Sequence, residues 1–456
     1  MTGYELFAGV FSHGAVKGAL SDEAWLQALL DVEAGLARAL ARAGLAAPDA
    51  AEAVGRAALA RNFSLAELGA ASAQAGNPIP ALVKALRAAV PESARGAVHT
   101  GATSQDIVDS ALMLLARRAG AFVSRDLEAA AAAAAQLADR HRKTPMLGRT
   151  LLQQAVPITF GFKAAGWLCG LDRASAGWSA ALEQRAWLQF GGAAGTLAVL
   201  GDRAAEVAAL LAAELGLREA PLPWHTERTP ILELAAALAA VSAVSGKIAR
   251  DSTLLAQSEV AEVHEARAPG RGGSSTMPHK QNPVASVAVL SCTRRVPGLL
   301  ATLFAAAEQE HERAAGAWHA EWEPFSELLR LSASASAWLA ELLPNLHVDA
   351  ERMRRNLDAA AGFPFAENLN RLLAPALGTQ GASEFVERAI ERAQAAGRTL
   401  QDALLHEPDL SGALAQAGFD PARLRDVFDP LLYLGSCERW IERALALHAA
   451  SSRPNV

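Results

Sequence analysis

The chain is poor in cysteine and has no excess of positive charge. Its three cysteines, Cys169, Cys292 and Cys437, stand far apart among 456 residues, and none lies in a Cys-x-x-Cys motif. This usage argues against a disulfide framework and against a metal site of the zinc type, and it is typical of the reducing cytoplasm. The 42 Lys and Arg residues are outnumbered by 48 Asp and Glu. A formal net charge of −6 argues against nucleic acid as a partner.

The sequence also lacks segments that would direct it to a membrane. Its first residues, MTGYELFAGVFS, contain no basic stretch followed by an apolar core, so they do not predict a signal peptide. The alanine run at 129–135 is too short to span a bilayer. We therefore expect a soluble, cytoplasmic protein without a membrane partner.

What the chain does contain is helix-forming sequence. Capping residues and apolar residues at three- and four-residue steps predict long helices at 22–44, 107–142, 155–188, 229–263 and 283–313, the last broken near Pro297-Gly298. Patterns of alternating strand residues are scarce. The fold class predicted is all-α, with a long central helical bundle. The stretch LLPNLHVD at 342–349 predicts a boundary before shorter C-terminal helices.

Polar residues that could carry chemistry are concentrated in three interruptions of this pattern. The first polar segment is HTGATSQDIVDSA, residues 99–111, in which Thr103, Ser104 and Gln105 precede a long helix. Asp106 lies at the helix start, where a carboxylate or a bound anion is favoured. A simple helix cap explains this segment equally well.

The second polar segment is GRTLLQQAVPITFG, residues 148–161. Thr150 and Gln153 precede Pro157, and this order predicts the start of a helix. By itself the segment is weak evidence of function.

The third interruption is GGSSTMPHKQNP, residues 272–283, called the signature loop below. Its glycines permit close approach of other groups, and Lys280 supplies positive charge. Asn282-Pro283 predicts a helix whose N-terminus faces the loop, so the loop is suited to an anion. A flexible polar linker would have a similar composition.

Together the three segments resemble the fumarase/aspartase superfamily. GSSTMPHKQNP matches its signature, and GATSQD, GRTLLQ and RDSTLLAQSEVAEV stand in the expected order. Within the superfamily, PWHTERTP, EHERAAGAWHAEW and YLGSCERWIERAL resemble the bacterial 3-carboxy-cis,cis-muconate cycloisomerases. The resemblance implies helical domains at 1–104, 105–345 and 346–456, a homotetramer whose active sites are each shared by three subunits, and no cofactor or metal.

One position departs from the superfamily pattern. Lyases of the fumarase and adenylosuccinate type carry histidine after the threonine of the second segment, and here that residue is Leu151. A lactone-forming enzyme has a carboxylate as nucleophile or leaving group, and a carboxylate needs no general acid at neutral pH. The leucine therefore favours a cycloisomerase over an amine-releasing lyase.

The resemblance implies that the enzyme interconverts 3-carboxy-cis,cis-muconate and 4-carboxymuconolactone in protocatechuate (β-ketoadipate) catabolism. Ser274 is expected to transfer the proton, with Lys280 stabilising the anion as the second catalytic residue. The small-molecule substrate is a tricarboxylate, so further polar and cationic contacts are needed. Expected substrate-binding residues are His99, Thr103, Ser104, Gln105, Thr150, Gln153, His225, Arg228, Ser275, Met277, Asn282 and Arg313.

Two other readings remain open at this point. An adenylosuccinate-type lyase of the same superfamily would share the signature loop, although Leu151 argues against it. An inactive helical scaffold would share the fold, although an intact Ser-Lys-Asn loop argues against that.

Overall fold

The computed structural model of the chain describes residues 5–267, 272–273, 276–277, 279–416, 418 and 423–451. Helices dominate these residues, and the predicted all-α class is confirmed. The helices are α1 Glu5–Phe11, α2 Val16–Ala19, α3 Asp22–Arg42, α4 Pro48–Ala57, α5 Leu65–Ala75, α6 Ile79–Ala89, α7 Ser104–Arg140, α8 Phe160–Arg185, α9 Ala204–Leu215, α10 Thr229–Leu255, α11 Val284–Thr293, α12 Val296–Ala306, α13 Ala317–Leu342, α14 Ala350–Ala359, α15 Ala366–Ala396, α16 Leu400–His406, α17 Pro408–Gln416, α18 Arg423–Val427 and α19 Cys437–Ser451.

Within the described ranges, four short strands form two antiparallel pairs. β1 (Pro145–Thr150) pairs with β2 (Gln153–Thr159), and β3 (Val263–Glu265) pairs with β4 (Leu346–Val348). Short 3₁₀ helices occupy Ala60–Asn62, Glu92–Ala97, Ala198–Arg203, Leu343–Asn345, Phe363–Phe365 and Pro430–Leu432.

The chain divides into two compact units, each assembled from three stretches of sequence. Unit 1 consists of Met1–Ala129, Arg173–Ala249 and Ala285–Glu341, and unit 2 of Ala130–Asp172, Arg250–Val284 and Leu342–Val456. The first polar segment therefore belongs to unit 1, whereas the second polar segment and the signature loop belong to unit 2. The division into three successive domains remains a prediction.

Unit 1 is a bundle whose helices bury apolar stripes. Leu234, Leu238 and Val241 on α10 are fully buried, as their spacing predicts. Where α7 meets α8, a side chain at Gly120 would lie 2.6 Å from the Trp178 ring, and the Trp178 indole donates a hydrogen bond of 3.2 Å to the Gly120 carbonyl. The glycine thus lets the two helices approach closely enough for this bond.

Unit 2 packs its C-terminal helices into a separate core. Leu369, Phe385, Val386, Leu404 and other buried residues from α15 to α18 form one apolar cluster. The β1–β2 hairpin contributes Leu147 to a second cluster with residues of α14 and the turn after it. The second cluster holds the hairpin against α14 by burial of apolar surface.

Several predicted helix bounds are corrected by the structure. Residues 153–159 form β2 rather than helix, so the helix expected at 155–188 is α8, Phe160–Arg185. α10 ends at Leu255 rather than 263, and the last predicted helix ends at Ala306 rather than 313. The break expected near Pro297 is present, because α11 ends at Thr293 and α12 begins at Val296.

Two stretches, Thr229–Leu255 and Val284–Ala306, are long and apolar enough to cross a membrane by length and composition alone. The first is a core helix of unit 1, as its buried stripe shows. The second carries Arg294 and Arg295 at its middle, where charges are costly in a bilayer. Both stretches are therefore weak evidence for a membrane span.

Candidate active site

The first polar segment is fixed by the carboxylate of Asp106. Asp106 is the third residue of α7, and its Oδ2 accepts a hydrogen bond from the Thr103 backbone N at 3.0 Å. In a capping box, the side chain of the third helical residue accepts a hydrogen bond from the backbone N–H of the residue just before the helix. Asp106 and Thr103 form this half of the box. The cap that was one reading of the sequence is therefore present.

The same carboxylate also holds a glycine loop and a histidine. Gly191 N and Gly192 N donate to it at 3.0 and 2.9 Å, and His225 Nε2 donates at 2.7 Å. A side chain at Gly191 would lie 2.6 Å from Pro223, and one at Gly192 would lie 2.8 Å from the Gly101 carbonyl. Only glycine fits at these two positions, so the loop can pack this closely only because both residues lack a side chain.

Gln105 is buried, and its side-chain amide is bonded within unit 1. Its Nε2 donates to His225 O at 2.7 Å and to Asp109 Oδ2 at 3.2 Å, and its Oε1 accepts from Arg313 Nη1 at 3.0 Å. Arg313 Nη2 also donates to the carbonyls of Gly192 and Ala193. In this geometry Gln105, His225 and Arg313 brace the segment and the glycine loop.

Arg228 is fully buried between two carboxylates. Its donors bond to Asp109 at 2.8 and 3.2 Å, to Glu321 at 2.7 to 3.2 Å and to Trp224 O at 3.3 Å. These contacts occupy all five N–H donors of a guanidinium. Direct binding of substrate was predicted for Arg228, but this geometry leaves no donor for a substrate carboxylate. Below, Asp106, Asp109, His225, Arg228 and Glu321 are called the buried ionic cluster.

The pKa values in the cluster reflect one cation shared by two anions. Burial acts to lower the pKa of Arg228, but the charges of Asp109 and Glu321 outweigh it and the pKa is raised. Burial raises the pKa of Glu321, and Asp109 adds to that effect while Arg228 opposes it. The two raised values are compatible, because one guanidinium cannot fully compensate two buried carboxylates.

His99, Thr103 and Ser104 are half-buried at the entrance of this segment. His99 has a backbone φ of 61°, which is uncommon for a residue other than glycine. Its Nδ1 lies 2.6 Å from Oε1 of Glu33 on α3. These three residues, like Arg313, are thus predicted site residues of unit 1 that retain some access to solvent.

The second polar segment is a β-hairpin, so the helix start predicted there is wrong. Leu151 and Leu152 form its two-residue turn, with φ of 50° and 65°. Positive φ at both positions matches a type I′ turn, which normally contains Asn-Gly. Leu151 is 96% exposed and Leu152 73%, and together they are called the hairpin tip. Thr150 and Gln153 pair across this turn and are also exposed.

The hairpin is anchored close to its turn by a buried glutamate. Arg149 donates two hydrogen bonds to Glu262, at 2.7 and 2.8 Å, and Asn356 Nδ2 donates a third at 2.9 Å. Glu262 has no exposed surface. The hairpin, the chain before the signature loop and α14 are therefore joined within unit 2.

Ser274 and Ser275 lie outside the described residues. Around them, Gly272 has φ of 71° and its carbonyl accepts from Asn282 N at 2.9 Å, and Lys280 N donates to Met277 O at 3.0 Å. Gly273 and Gln281 form an isolated bridge. The Lys280 and Met277 side chains are exposed, and α11 begins two residues after Asn282. The described part of the loop is closed at its base beside a helix N-terminus.

Sequence reasoning missed Glu33, Asp109 and Glu321. Each lies in or beside a helical pattern, where a lone charged residue is usually solvated. The spacing of Asp106 and Asp109, three residues apart on the apolar face of α7, is the signal that could have found the cluster. Among the described residues, no group of three or more His, Cys, Asp and Glu side chains is placed to hold a metal ion.

Comparison with known families places these features in context. A family model described as a lyase matches residues 13–298. The chain is similar to a 3-carboxy-cis,cis-muconate cycloisomerase of Pseudomonas aeruginosa, with 45% identity over 449 residues, 98% of this chain and 97% of the relative. It is also similar to a nitrosuccinate lyase of Streptomyces davaonensis, with 43% identity over 441 residues, 94% of this chain and 92% of the relative.

A solved structure of a related enzyme has the same fold. The 3-carboxy-cis,cis-muconate lactonizing enzyme of Pseudomonas putida superposes with a TM-score of 0.90 and 41% sequence identity, covering 98% of this chain and 100% of the other. The fold and the order of its segments are thus those of a known group of enzymes.

Proposed function

The chain belongs to the lyase family of the fumarase/aspartase superfamily, and on that premise we propose that it is a cycloisomerase that interconverts 3-carboxy-cis,cis-muconate and 4-carboxymuconolactone. The observation that carries the proposal is the high identity, over nearly the full length of both chains, to enzymes with that name. The reaction belongs to protocatechuate (β-ketoadipate) catabolism.

The hairpin tip supports this reaction over release of an amine. Leu151 has no proton to give, and it stands at the position where the superfamily resemblance implies histidine in amine- and water-releasing lyases. In lactone opening the leaving group is a carboxylate, which is stable as an anion at neutral pH. Only the proton on carbon then needs a catalytic group.

The proposed reaction forms two bonds. A carboxylate oxygen of the substrate bonds to one carbon of a carbon–carbon double bond, and the electron pair of that double bond moves to the neighbouring carbon. The attached carboxylate delocalises this charge as an enediolate. Ser274 donates its hydroxyl proton to the neighbouring carbon, and the alkoxide regains a proton from solvent. One C–O bond and one C–H bond replace one carbon–carbon π bond.

The roles of the other residues follow from charge. Lys280 and the N-terminus of α11 stabilise the enediolate and the Ser274 alkoxide, with Asn282 as a hydrogen-bonding group. The remaining carboxylates are bound by polar groups of the two other segments. We assign to this binding His99, Thr103 and Ser104 from the first segment, Thr150 and Gln153 from the second, and Ser275 from the loop, with Met277 of the loop as an apolar contact to the substrate. The first segment is held in position by hydrogen bonds of four further predicted residues, Gln105, His225, Arg228 and Arg313.

The decisive experiment is an assay of substrate loss. Purified protein is incubated with 3-carboxy-cis,cis-muconate, and the ultraviolet absorbance of the diene is followed. We expect the absorbance to fall and 4-carboxymuconolactone to form. Adenylosuccinate and nitrosuccinate are assayed in parallel, because lyases of both kinds share the superfamily. No loss of diene together with turnover of either lyase substrate would overturn the proposal.

The catalytic assignment has its own test. Ser274→Ala should lower turnover at least about a hundredfold, as expected for loss of one general acid/base group, with an unchanged circular dichroism spectrum. Ser275→Ala is the matched neighbour and should have a milder effect. If the two effects are reversed, the proton is transferred by Ser275.

We further propose that the chain is a homotetramer with active sites shared by three subunits. On α11 and α12, Val287 is 50% exposed and Phe304 54% exposed, although these helices are strongly apolar. The hairpin tip adds two exposed leucines. Other copies of the chain would remove this apolar surface from water. Light scattering after gel filtration should give four times the chain mass of 47.6 kDa, and a monomeric mass would contradict the proposal.

The protein is soluble, and we assign it to the cytoplasm. Its three cysteines are free thiols, which supports a reducing compartment. The net charge of −6 supports the absence of nucleic acid among its partners. Cell fractionation of the source organism tests the compartment, and recovery of the protein from a secreted fraction would contradict it.

A further inference from the structure

Glu33 is a charged residue in the wrong surroundings for its type. It lies in the middle of α3, where Leu29, Leu30, Val32 and Leu36 are all buried, and it has no exposed surface itself. Its Oε2 has no hydrogen-bond partner among the described residues. A buried carboxylate without a full set of partners is destabilising, so its presence calls for a specific role.

The observed partner of Glu33 is the ring of His99. The Nδ1–Oε1 distance of 2.6 Å is short even for a charge-assisted bond. The His99 side chain is 17% exposed, so one edge of the ring is held by the buried glutamate while the residue still reaches solvent. Because Nδ1 is engaged, Nε2 lies on the opposite edge and is the ring nitrogen left for a ligand.

The backbone around His99 is also held in place. Its φ of 61° lies in the left-handed region, and two residues later Gly101 has φ of 84°. A side chain at Gly101 would lie 2.9 Å from Leu200. The Thr100 hydroxyl donates to Gly96 O at 2.6 Å. Such a conformation persists only where neighbouring contacts impose it, and it is common at functional sites.

We propose that Glu33 is a positioning residue that fixes the orientation and the Nδ1 proton of His99, so that His99 Nε2 binds a carboxylate of the substrate. A carboxylate on Nδ1 selects one tautomer and stabilises the ring when Nε2 is protonated as well. The doubly protonated ring is a cationic donor suited to one carboxylate of a tricarboxylate. This inference rests on the proposed function, because it takes its ligand from that reaction.

The first test separates positioning from structural support. Glu33→Leu removes the carboxylate but fits an apolar core, so its thermal midpoint should equal or exceed that of the wild type. Its KM should rise about tenfold or more, the loss expected for one hydrogen bond to a charged group, with a smaller change in kcat. Glu33→Gln keeps an acceptor for Nδ1 and should restore KM to within about threefold of the wild type.

Glu341→Gln is the matched control. Glu341 Oε2 accepts from His13 Nε2 at 3.0 Å in the same unit, but that pair is partly exposed and outside the proposed site. It should change neither KM nor kcat. An unchanged KM in Glu33→Leu, or a parallel loss of thermal stability and activity that Gln does not restore, would overturn the proposal.

The second test needs no activity. Long-range ¹H–¹⁵N spectra of histidine-labelled protein report which ring nitrogen carries hydrogen, and the His99→Gln spectrum identifies the His99 signals. We expect Nδ1–H in the unliganded wild type and in Glu33→Gln, which keeps an acceptor, and a mixed or reversed pattern in Glu33→Leu, or in Glu33→Met if the leucine variant does not fold. The same pattern in the wild type and in the variant that lacks the acceptor contradicts positioning by Glu33. Absence of turnover in the wild type would contradict the proposed function alone.

Discussion

The buried ionic cluster includes Asp106 and Asp109 of the first polar segment, and the hairpin tip is part of the second. The two regions differ in how much of their environment one chain supplies. In the cluster, the Asp106 carboxylate has four donors within unit 1, and Arg228 has an acceptor for every N–H. At the tip, Leu151 and Leu152 adopt left-handed conformations and expose most of their surface. The first region is organised by its own chain, whereas the second has apolar side chains that one chain does not cover.

This difference separates two kinds of contribution to a site. A region whose polar groups are all paired is rigid but offers few free groups to a ligand, so its work is positioning. A region with exposed leucines on a strained turn is suited to packing against another surface, which would bury those apolar side chains. Changes in the cluster should therefore be felt in the stability of the fold, and changes at the tip in assembly and catalysis.

The largest effect is expected for Arg228→Met. It leaves Asp109 and Glu321 buried without their cation, which should lower the free energy of unfolding by about 3–5 kcal/mol. Urea denaturation followed by circular dichroism measures it. Arg38→Met is the control, because Arg38 pairs with Glu214 in a partly exposed position; it should cost about 1 kcal/mol or less. Equal losses in the two variants would remove the contrast between the cluster and ordinary surface pairs.

The next effect concerns the tip and is expected in catalysis. Leu151→His places a polar ring where the assembled enzyme is proposed to pack an aliphatic side chain, at a cost of roughly 1–3 kcal/mol in the complex. We expect the fold of the chain to be unaffected, because Leu151 is exposed within it, while kcat/KM on the muconate falls about tenfold or more. Assays of parent and variant on the muconate and on adenylosuccinate measure this. A gain on the muconate, or adenylosuccinate turnover by the parent, would contradict the carboxylate-leaving-group argument.

A smaller effect is expected when the turn is given its preferred residues. Leu151→Asn with Leu152→Gly matches a type I′ turn and should raise the free energy of unfolding by about 1 kcal/mol, because the left-handed conformations are no longer strained. Activity should fall at the same time, since the apolar tip is lost. Thermal unfolding and the diene assay on one preparation measure both. A variant that is more stable and fully active would show that the leucines serve neither assembly nor catalysis.

The smallest effect is expected for Glu321→Gln. It removes one of two anions around one cation, so the change at neutral pH should be below about 1 kcal/mol. The sign depends on pH, because the pKa of Glu321 is raised in the folded protein. Ionised Glu321 makes the parent lose stability as pH rises through that raised pKa, and the glutamine variant does not share this loss. Unfolding curves of both proteins at several pH values should therefore shift in favour of the variant as pH rises.

Much of the fold was predictable, because the spacing of apolar residues and the capping residues both indicate long helices. Ser21 accepts from Ala24 N as the N-cap of α3, and the 37-residue α7 spans almost the predicted range. The hairpin was not predictable, since Leu-Leu contradicts the usual Asn-Gly preference of its turn. The cluster escaped for another reason. Asp109, Arg228 and Glu321 are distant in sequence, and only the folded bundle brings their charges together.

The site followed the same division. The motif correctly predicted Thr103 and Lys280 as residues with access to solvent. It gave no sign that the side chains of Gln105 and His225 are hydrogen-bonded within the protein. Whether a polar side chain is free or engaged depends on partners more than a hundred residues away. Local sequence contains no record of them.

The wide separation of the donors to Asp106 also bears on how the nascent chain acquires its structure. Gly191 follows Asp106 by 85 residues and His225 by 119. During synthesis the start of α7 leaves the ribosome before these two donors do, so the carboxylate can pair only with its local donor, Thr103 N, until the stretches around Gly191 and His225 have emerged. These contacts therefore form late and between distant parts of the chain. A ribosome paused before His225 has emerged would carry a helix whose first turn still lacks its long-range hydrogen bonds.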